Sequence, residues 1–287
     1  MVNAMRVIKR DKGKKGYFYL QHSFRTDGKV ATRELYLGKS IPADIEEHKA
    51  KLLLQAKESL DRKLEKIKDN FQKEWQKTPP SAQERELREI AIAFTYNTNA
   101  IEGSTITLDE ARLILEDRMA PAKPLRDIRE TESHAAAFLH MLKTEEEVSN
   151  ELMLNWHLKI FKDTKPDIAG RFRSYPVRVG HYLAPNSEKI GNLMNQLTAF
   201  ANGSKLNPVE VAARAHYMFE KIHPFGDGNG RIGRLLMNYI LWKNGYPMLI
   251  IEYEKRKSYY RALERTEEDF VKYFARRYLA VHRQRLE

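Results

Sequence analysis

The sequence predicts a mainly α-helical fold with a small β-hairpin at its start. Apolar residues recur at helical spacing in several segments from residue 43 onward, and two strand-like segments near the start flank a turn signal. These patterns divide the chain into a basic β-hairpin module at 1–41, a charged linker helix at 42–80 and a main domain at 81–287.

The hairpin module is strongly basic. Residues 17–24 and 31–37 are rich in aromatic side chains and surround Asp27 and Gly28, a pair typical of a tight hairpin turn. Residues 1–40 contain ten Lys or Arg and three Asp or Glu, so this stretch contributes +7 of the net charge of +11. Such a surface suits a nucleic-acid backbone, an acidic partner or plain solvation, and the sequence leaves all three open.

A long charged helix is predicted from Ala43 to Lys77, before the helix-ending prolines 79 and 80. One side of it carries a narrow apolar stripe, formed by Leu52, Leu53, Ala56, Leu60, Leu64 and Ile67. Because such a stripe needs a partner, we expect it to pack on the main domain or on a second copy of the chain in a homodimer.

The next helix is predicted to start at a capping box formed by Ser81 and Glu84. It ends in the segment Thr98-Asn-Ala-Ile-Glu102-Gly103, where Gly103 suits the position just after a helix. Thr98 and Glu102 are four residues apart and therefore share a face.

Three further elements complete the expected fold. The segment 170–185 breaks the helical pattern, and Val177, Val179 and Tyr182 around Gly180 fit a short hairpin. A helix follows from an Asn207 cap to residue 222, a second helix covers 232–244, and a basic amphipathic helix covers 267–287. The buried side of this last helix is predicted to hold Phe270, Tyr273, Phe274, Tyr278 and Val281. His157 and His216 fall in helical segments and are expected in the core or in supporting positions rather than as ligands.

Between the two helices lies the stretch His223-Pro-Phe-Gly-Asp-Gly-Asn-Gly-Arg231, followed by Ile-Gly-Arg234. The glycines allow the backbone to form a nest of N–H donors at a helix N-terminus, which favours a phosphate group, and Asn229 would add a side-chain donor. Asp227 suits Mg²⁺, and Arg231 with Arg234 can bind phosphate oxygens. His223 has the only side chain here with an ordinary pKa near neutrality, so it is the candidate general base.

Other phosphate and metal motifs do not fit this spacing. A Walker loop needs Gly-Lys-Ser/Thr where this chain has Gly230-Arg-Ile, and a dinucleotide fingerprint needs a different glycine spacing after a strand. An EF-hand loop would need glycine at Ile232 and glutamate at Asn238.

The stretch resembles the Fic-domain signature, His-Pro-Phe-x-Asp/Glu-Gly-Asn-Gly-Arg-x-x-Arg, at every specified position. Fic proteins are mostly adenylyltransferases that move AMP from ATP to a hydroxyl of a target protein. The resemblance covers roughly residues 90–265 and implies a Fic-type helical bundle in which the signature joins two central helices. It implies His223 as the base, Asp227 as the Mg²⁺ ligand, and an ATP-binding set of Phe225, Gly226, Asp227, Gly228, Asn229, Gly230, Arg231 and Arg234. We expect Phe225 to act mainly as an apolar anchor.

Two other segments are similar to Fic elements. Thr98, Glu102 and Gly103 match the inhibitory motif Ser/Thr-x-x-x-Glu-Gly/Asn, which implies that Glu102 pairs with Arg234 and keeps the γ-phosphate of ATP from its productive position. The hairpin resembles the flap that docks a target peptide by strand pairing, with the docking residues Val177, Arg178, Val179 and Gly180.

Composition fits an intracellular enzyme. The chain has no cysteine, which excludes disulfides and thiol catalysis. Without a signal peptide or a long apolar run, we expect a cytoplasmic protein with no membrane association.

We therefore predict a self-inhibited, Mg²⁺-dependent adenylyltransferase acting on a Ser, Thr or Tyr hydroxyl of a target protein, including its own. Two alternatives stay open at this point. Glu102 could position water for the reverse reaction, removal of AMP from a protein. The basic hairpin could instead be primary, in a nucleic-acid-associated regulator whose Fic domain senses nucleotide.

Overall fold

The computed structural model describes residues 5–13, 15–26 and 29–287. The chain divides into two compact units, residues 1–66 with 282–287 and residues 67–281. Its strands are β1 (Arg6–Lys12), β2 (Lys15–Thr26), β3 (Lys29–Gly38), β4 (Arg178–Val179) and β5 (Tyr182–Leu183). Its helices are α1 (Ile45–Lys77), α2 (Pro80–Ile101), α3 (Leu108–Leu115), α4 (Leu125–Met141), α5 (Asn150–Phe161), α6 (Ile190–Gly203), α7 (Pro208–Ile222), α8 (Asn229–Lys243), α9 (Arg256–Leu263) and α10 (Glu267–Val281).

The first unit contains an antiparallel sheet in the order β1-β2-β3. The predicted hairpin is confirmed as the β2–β3 pair, in which Thr26 pairs with Lys29, although the predicted turn at Asp27 and Gly28 lies outside the described residues. Strand β1 was not predicted, because it is mostly charged, with Val7 and Ile8 as its apolar residues.

Tyrosine rings and a guanidinium group share part of this sheet. The rings of Tyr19 and Tyr36 lie 5.4 Å apart, and the guanidinium of Arg10 lies 5.3 Å from the centre of the Tyr19 ring. Arg10 also forms an ion pair with Glu34 at 2.6 Å.

Helix α1 begins two residues later than predicted and carries a shorter stripe. Leu52, Leu64 and Ile67 are buried, whereas Leu53 is 52% exposed. Towards its end, α1 packs within the second unit, where the Phe71 and Trp75 rings lie 6.2 and 5.6 Å from that of Trp242.

Helix α2 does not start with the predicted capping box. Pro79 occupies the N-cap position and Pro80 the first helical position, so Ser81 already lies inside the first turn and cannot cap it. The end of α2 is as predicted, because Ile101 is its last residue and Gly103 follows with a φ of 91°.

The second unit is built around α7 and α8, which pack against each other. Asn207 caps α7 as predicted by accepting a hydrogen bond from the Val209 N–H at 3.0 Å. Helix α8 is buried on every side from residue 231 to residue 241. Its polar residues Arg231, Arg234 and Asn238 therefore need partners inside the protein, and the two arginines find theirs at the candidate site.

The last long helix, α10, ends earlier than predicted. Phe270, Phe274 and Tyr278 are buried as expected, but Val281 is 45% exposed. Within the described part of the chain, no helix combines the length and the apolar character that a membrane span requires. The mainly helical fold class is confirmed.

Candidate active site

The loop between α7 and α8 begins at His223, which caps α7 in a left-handed conformation with φ 51° and ψ 60°. This conformation is uncommon for a residue with a side chain and costs on the order of 1–3 kcal/mol, so it persists only where the surroundings impose it. The His223 N–H bonds to the Phe219 carbonyl at 2.9 Å. A strained backbone thus holds the candidate base.

Phe225 anchors the loop in the core. Its fully buried ring stacks on the His157 ring, with centroids 3.9 Å apart and planes 9° apart, and lies near Phe172. The Asn229 side chain closes the loop by accepting from the Phe225 N–H at 2.8 Å and donating to the Phe225 carbonyl at 2.9 Å. Both ends of the Asn229 amide are therefore used within the loop, which differs from the expected donor aimed at phosphate.

His157 supports the loop from α5. The Gly170 N–H donates to its Nδ1 at 3.0 Å, so Nδ1 is the acceptor and Nε2 carries the hydrogen that is donated to the Asp227 carbonyl at 3.0 Å. Burial lowers the pKa of His157 to about 4, so the ring is neutral and keeps this arrangement at neutral pH. His157 has the supporting position expected for it.

Asp227 projects from the loop with its side chain 48% exposed. Its Oδ1 accepts from the Gly228 N–H at 2.6 Å, and its Oδ2 lies 2.7 Å from Lys165 Nζ. Burial raises the pKa of Asp227, but the Lys165 hydrogen bond and the charges of Arg231 and Lys165 outweigh it, so the pKa lies below its usual value. The carboxylate is therefore ionised at neutral pH.

Arg231 is buried and bonded to Glu130 of α4. Glu130 also pairs with Lys165 at 3.0 Å, and the Arg231 guanidinium lies 4.4 Å from the centre of the Phe161 ring. One network of alternating charges thus links Glu130, Lys165, Asp227 and Arg231. It lines a polar cleft that also reaches Glu102 at the end of α2.

Arg234 lies 1% exposed in the second turn of α8 and bonds to the end of α2. Its Nε donates to the Thr98 hydroxyl at 2.7 Å, and its Nη2 donates to Glu102 Oε1 at 2.6 Å. The predicted contact between Glu102 and Arg234 is present, and Thr98 completes it. The inhibitory role of this contact stays a prediction.

Two glycines make these approaches possible. Gly228 has a φ of 79°, and a Cβ added there would collide with the Phe161 ring. A Cβ on Gly230 would collide with the Glu102 carboxylate and crowd Arg234. The loop therefore needs glycine at 230 for the Glu102–Arg234 contact to form.

The predicted hairpin at 177–184 is present as β4 and β5, with Arg178 opposite Leu183 and Val179 opposite Tyr182. Gly180 turns it with a φ of 58°, and the Ala184 N–H donates to the Val177 carbonyl at 3.1 Å. Val179, Tyr182 and Leu183 are exposed. The strands thus present side chains and an edge to solvent, and target docking on them stays a prediction.

The segment that carries the hairpin contacts the end of α7 and the loop between α7 and α8. The Tyr182 hydroxyl donates to the Lys221 carbonyl at 2.9 Å, close to the end of α7. The Tyr175 hydroxyl lies where a Cβ on Gly226 would stand, so that glycine allows the close approach.

The imidazole of His223 is partly buried, and the charged groups that act on it are Arg173, Glu102 and Asp227. Burial lowers the pKa of His223, and the charge of Arg173 lowers it further, so the pKa falls below its ordinary value. The ring is therefore mostly neutral at pH 7, the form that can accept a proton.

Three charged residues of this site were not predicted from the sequence: Glu130, Lys165 and Arg173. None of them belongs to a motif, and each reaches the loop from another element through the tertiary fold. The Glu130–Arg231 pair, for example, joins residues 101 positions apart. No signal in a single sequence distinguishes these residues from surface charges.

The donor set at the loop fits Mg²⁺ bound together with phosphate. Within residues 5–13, 15–26 and 29–287, no group of three or more His, Asp or Glu side chains could hold a metal by itself. Mg²⁺ needs only one or two carboxylates when substrate phosphates and water supply the other ligands. Asp227 is an ionised carboxylate at the cleft, and a cation, Lys165, already lies against it.

Comparisons with known proteins agree with this geometry. A family model described as "Fic/DOC family" matches residues 147–241. The solved structure of a fragment of Fic-1 from Caenorhabditis elegans superimposes with a TM-score of 0.68 and is 30% identical, covering 82% of this chain and 72% of that chain. The chain belongs to the Fic/DOC family.

Other Fic proteins are also similar. A Fic-domain-containing signalling protein from Bacteroides thetaiotaomicron superimposes with a TM-score of 0.70 at 25% identity, over 78% of this chain and 95% of that one. Protein adenylyltransferase fic-1 of C. elegans is 33% identical over 78% of this chain and 46% of its own length. Protein adenylyltransferase Fic of Nematostella vectensis is 34% identical over 67% of this chain and 47% of its own length. The chain therefore spans about half the length of these curated relatives.

Proposed function

We propose that this Fic protein is a self-inhibited protein adenylyltransferase, which transfers AMP from ATP to a hydroxyl of a Ser, Thr or Tyr side chain on a target protein. The observation that carries the proposal is the composition of one loop. A largely neutral imidazole lies between the end of α7 and the N-terminus of α8, with an ionised carboxylate and two buried arginines beside it. The names of the curated relatives point to the same reaction.

In this mechanism His223 accepts the proton of the target hydroxyl as its oxygen attacks the α-phosphorus of ATP. The new oxygen–phosphorus bond forms while the bond from the α-phosphorus to the bridging oxygen breaks, and pyrophosphate leaves. The first N–H groups of α8, which have no partners inside the helix, would bind phosphate oxygens.

Arg231 and Arg234 would hold the β- and γ-phosphates through charge-assisted hydrogen bonds. Asp227 would hold Mg²⁺, which neutralises phosphate charge when bound. Both arginines now pair with carboxylates, Glu130 and Glu102, so productive phosphate binding requires at least one pair to open. Glu102 is the partner that we propose to be released.

The test is intact mass spectrometry of the purified Glu102→Gly protein after incubation with Mg²⁺ and each nucleoside triphosphate in turn. We expect a mass increase of one AMP with ATP. The matched control is the double variant Glu102→Gly, His223→Ala, which should gain no mass. A protein that gains no nucleotide, and that removes AMP from a modified target faster with Glu102 than with Gly, would instead be an enzyme of the reverse reaction.

We also propose a nucleic-acid backbone as a partner for the basic residues of 1–40. The net charge of this stretch and the Tyr19, Tyr36 and Arg10 cluster support the idea, because aromatic rings stack on bases and cations contact phosphates. Binding of a single-stranded oligonucleotide should weaken steeply with salt. The Arg10→Glu variant should lose affinity, and affinity equal to that of the wild type at 150 mM salt would contradict the proposal.

A further inference from the structure

Arg173 lies at the base of the flap and is 4% exposed, and among the described residues the acceptors of its guanidinium are all backbone carbonyls. Nε donates to the His223 carbonyl at 2.8 Å and Nη1 to the Tyr175 carbonyl at 2.7 Å. Nη2 donates to the Pro185 carbonyl at 2.7 Å and, at 3.4 Å, to the Ile222 carbonyl. One side chain therefore holds the end of α7 and both ends of the flap segment.

This is an unusual use of a buried arginine. No carboxylate in the described part of the chain forms an ion pair with it, in contrast to Arg231, Arg234 and Arg214. A buried charge is costly unless it is hydrogen-bonded. The planar fork of an arginine can satisfy that need with several carbonyls at fixed angles, which a lysine cannot do.

The carbonyls that accept hydrogen bonds from Arg173 include those next to His223, the residue with the left-handed backbone. Its side chain binds the carbonyls of Ile222 and His223, and its backbone N–H donates to the Pro224 carbonyl at 2.9 Å. Three successive peptide groups around the left-handed His223 are thus fixed by one residue. Strained conformations persist where neighbouring contacts over-determine them, and Arg173 supplies such contacts here.

We propose that Arg173 is a positioning residue, which holds the His223 backbone in its left-handed conformation and ties the ends of the flap to it. The position of the candidate base relative to the hairpin is thereby fixed. The inference rests on the proposed function for its catalytic consequence. The positioning itself is independent of which reaction His223 serves. Arg173 makes no contact with the arginines of the phosphate site, so it acts on His223 rather than on ATP.

The kinetic test uses two variants in the Glu102→Gly background. Arg173→Met removes the charge and all the side-chain hydrogen bonds, whereas Arg173→Lys keeps the charge without the fork. We expect kcat to fall on the order of 10- to 100-fold for Met, since small misplacements of a reacting group have such effects. The KM for ATP should stay within about twofold, because other residues bind the phosphates. Lys should restore only part of kcat.

Two measurements test the positioning without any transfer reaction. Hydrogen exchange of backbone amides in residues 177–184 should be faster in both variants, because each loses the fork that ties the flap ends together. An NMR titration of the His223 ring should show a higher pKa in the Met variant than in the wild type. The charged groups acting on that ring are Arg173, Glu102 and Asp227. The Lys variant keeps a positive charge at position 173, so the higher pKa is expected in the Met variant alone.

Arg214 provides a matched control. It lies on α7 itself with 17% of its side chain exposed, and it is held by Glu210, Glu267 and Glu268. Arg214→Met should lower the melting temperature while leaving flap exchange and the His223 titration unchanged. If Arg173→Met fails to fold, the Lys variant still carries the hydrogen-exchange test, because it lacks the fork.

The proposal is overturned if hydrogen exchange of the flap is unchanged in a folded Arg173 variant, or if Arg214→Met speeds that exchange to the same extent. A chain that transfers no AMP but shows both spectroscopic effects would contradict the proposed function and still support the positioning role.

Discussion

Glu102 Oε1 lies 2.6 Å from Arg234 Nη2, and the same guanidinium donates from Nε to the Thr98 hydroxyl at 2.7 Å. The end of α2 thus holds the guanidinium that, in the proposed mechanism, binds the phosphates of ATP. A side chain at residue 230 would collide with the Glu102 carboxylate, so this arrangement requires the glycine found there. The Glu102 carboxylate therefore takes part in both the ion pair with Arg234 and the steric requirement at Gly230. Glu102 and Arg234 are 132 residues apart along the chain.

Replacing Glu102 should release this contact. We expect Glu102→Gly to raise adenylylation at least tenfold, which corresponds to about 1.4 kcal/mol in the activation barrier. Because both changes act through one contact, the double variant with Arg234→Ala should behave like Arg234→Ala alone. The measurement is incorporation of labelled AMP at saturating Mg²⁺.

Glu116 offers the control for that experiment, since it also follows the last residue of a helix and pairs with an arginine, Arg112, at 3.0 Å. Glu116→Gly should leave the rate unchanged. Equal labelling by the wild type and Glu102→Gly would reduce the Thr98–Gly103 segment to an ordinary helix end.

His223 should determine how the rate of AMP transfer falls at acidic pH. A base works in its neutral form, so the rate falls as pH drops through its pKa. Burial and Arg173 lower that pKa, and the midpoint of the acid limb of kcat should therefore lie below the ordinary value of about 6.5. Single-turnover rates between pH 4.5 and 8 measure it.

Substitutions at residue 223 can separate the role of the imidazole from that of the left-handed backbone conformation. His223→Asn keeps a side chain that tolerates the left-handed conformation but removes the imidazole. It should lose on the order of 10²- to 10⁴-fold in rate, as should His223→Ala, while binding ATP like the wild type. Transfer by either variant at nearly the wild-type rate would remove His223 from the role of base.

Buried histidines should make the fold sensitive to acid. His134 and His216 are both fully buried, and burial lowers the pKa of each to about 3. The unfolded chain binds protons at these sites from about pH 6.5 downward, and the folded chain does not. The contribution of these two histidines to the free energy of unfolding is therefore intact above about pH 6.5 and is lost as the pH falls towards 3. Each histidine should reduce the free energy of unfolding by roughly 1.4 kcal/mol per pH unit in that window.

Urea unfolding at pH 4.5, 5.5 and 7 tests this effect. His134→Gln should flatten the dependence of the unfolding free energy on pH by about one proton. His140→Gln, on the same helix but at an exposed position, should leave the dependence as in the wild type. The buried-histidine account is contradicted if the two variants show the same slope.

The parts of the site that could be predicted from the sequence are those that depend on interactions between residues close together in the chain. The loop from His223 to Arg234 and the helices beside it could be predicted because glycines, a cap and apolar spacing are local signals. The contact between Glu102 and Arg234 came only from the resemblance to Fic proteins, since nothing local links α2 to α8. Arg173 and Glu130 could not be found in this way, because a single charged residue becomes buried only through tertiary packing.

Two errors in the predicted fold have similarly physical causes. The capping box at Ser81 and Glu84 has the right residues, but two prolines before it already fix the first turn. Strand β1 carries five charged residues among its seven, so it lacks the alternation that marks a half-buried strand. Its pairing with β2 supplies the order that its own sequence does not indicate.

Asp227 is the last group whose role can be tested directly. It is the only carboxylate between His223 and Arg234, and Lys165 lies 2.7 Å from it. A metal bound with ATP would have to replace that ammonium group, so Asp227→Ala should weaken Mg²⁺-dependent ATP binding by removing the carboxylate ligand. Asp227→Glu should be partly tolerated, because the Fic signature accepts either acid. Calorimetry with ATP at a series of Mg²⁺ concentrations measures both.

A Lys165 variant distinguishes two explanations for weaker ATP binding by Asp227→Ala: loss of a metal ligand and loss of local charge balance. If Asp227 serves the metal, Asp227→Ala should flatten the dependence of ATP affinity on Mg²⁺, whereas Lys165→Met should leave that dependence in place. If the aspartate instead only balances local charge, the two variants should alter the Mg²⁺ dependence alike. Asp167→Ala, an exposed carboxylate two residues from Lys165, should change neither quantity. Mg²⁺ dependence that is unchanged in Asp227→Ala would mean that the ion is held elsewhere.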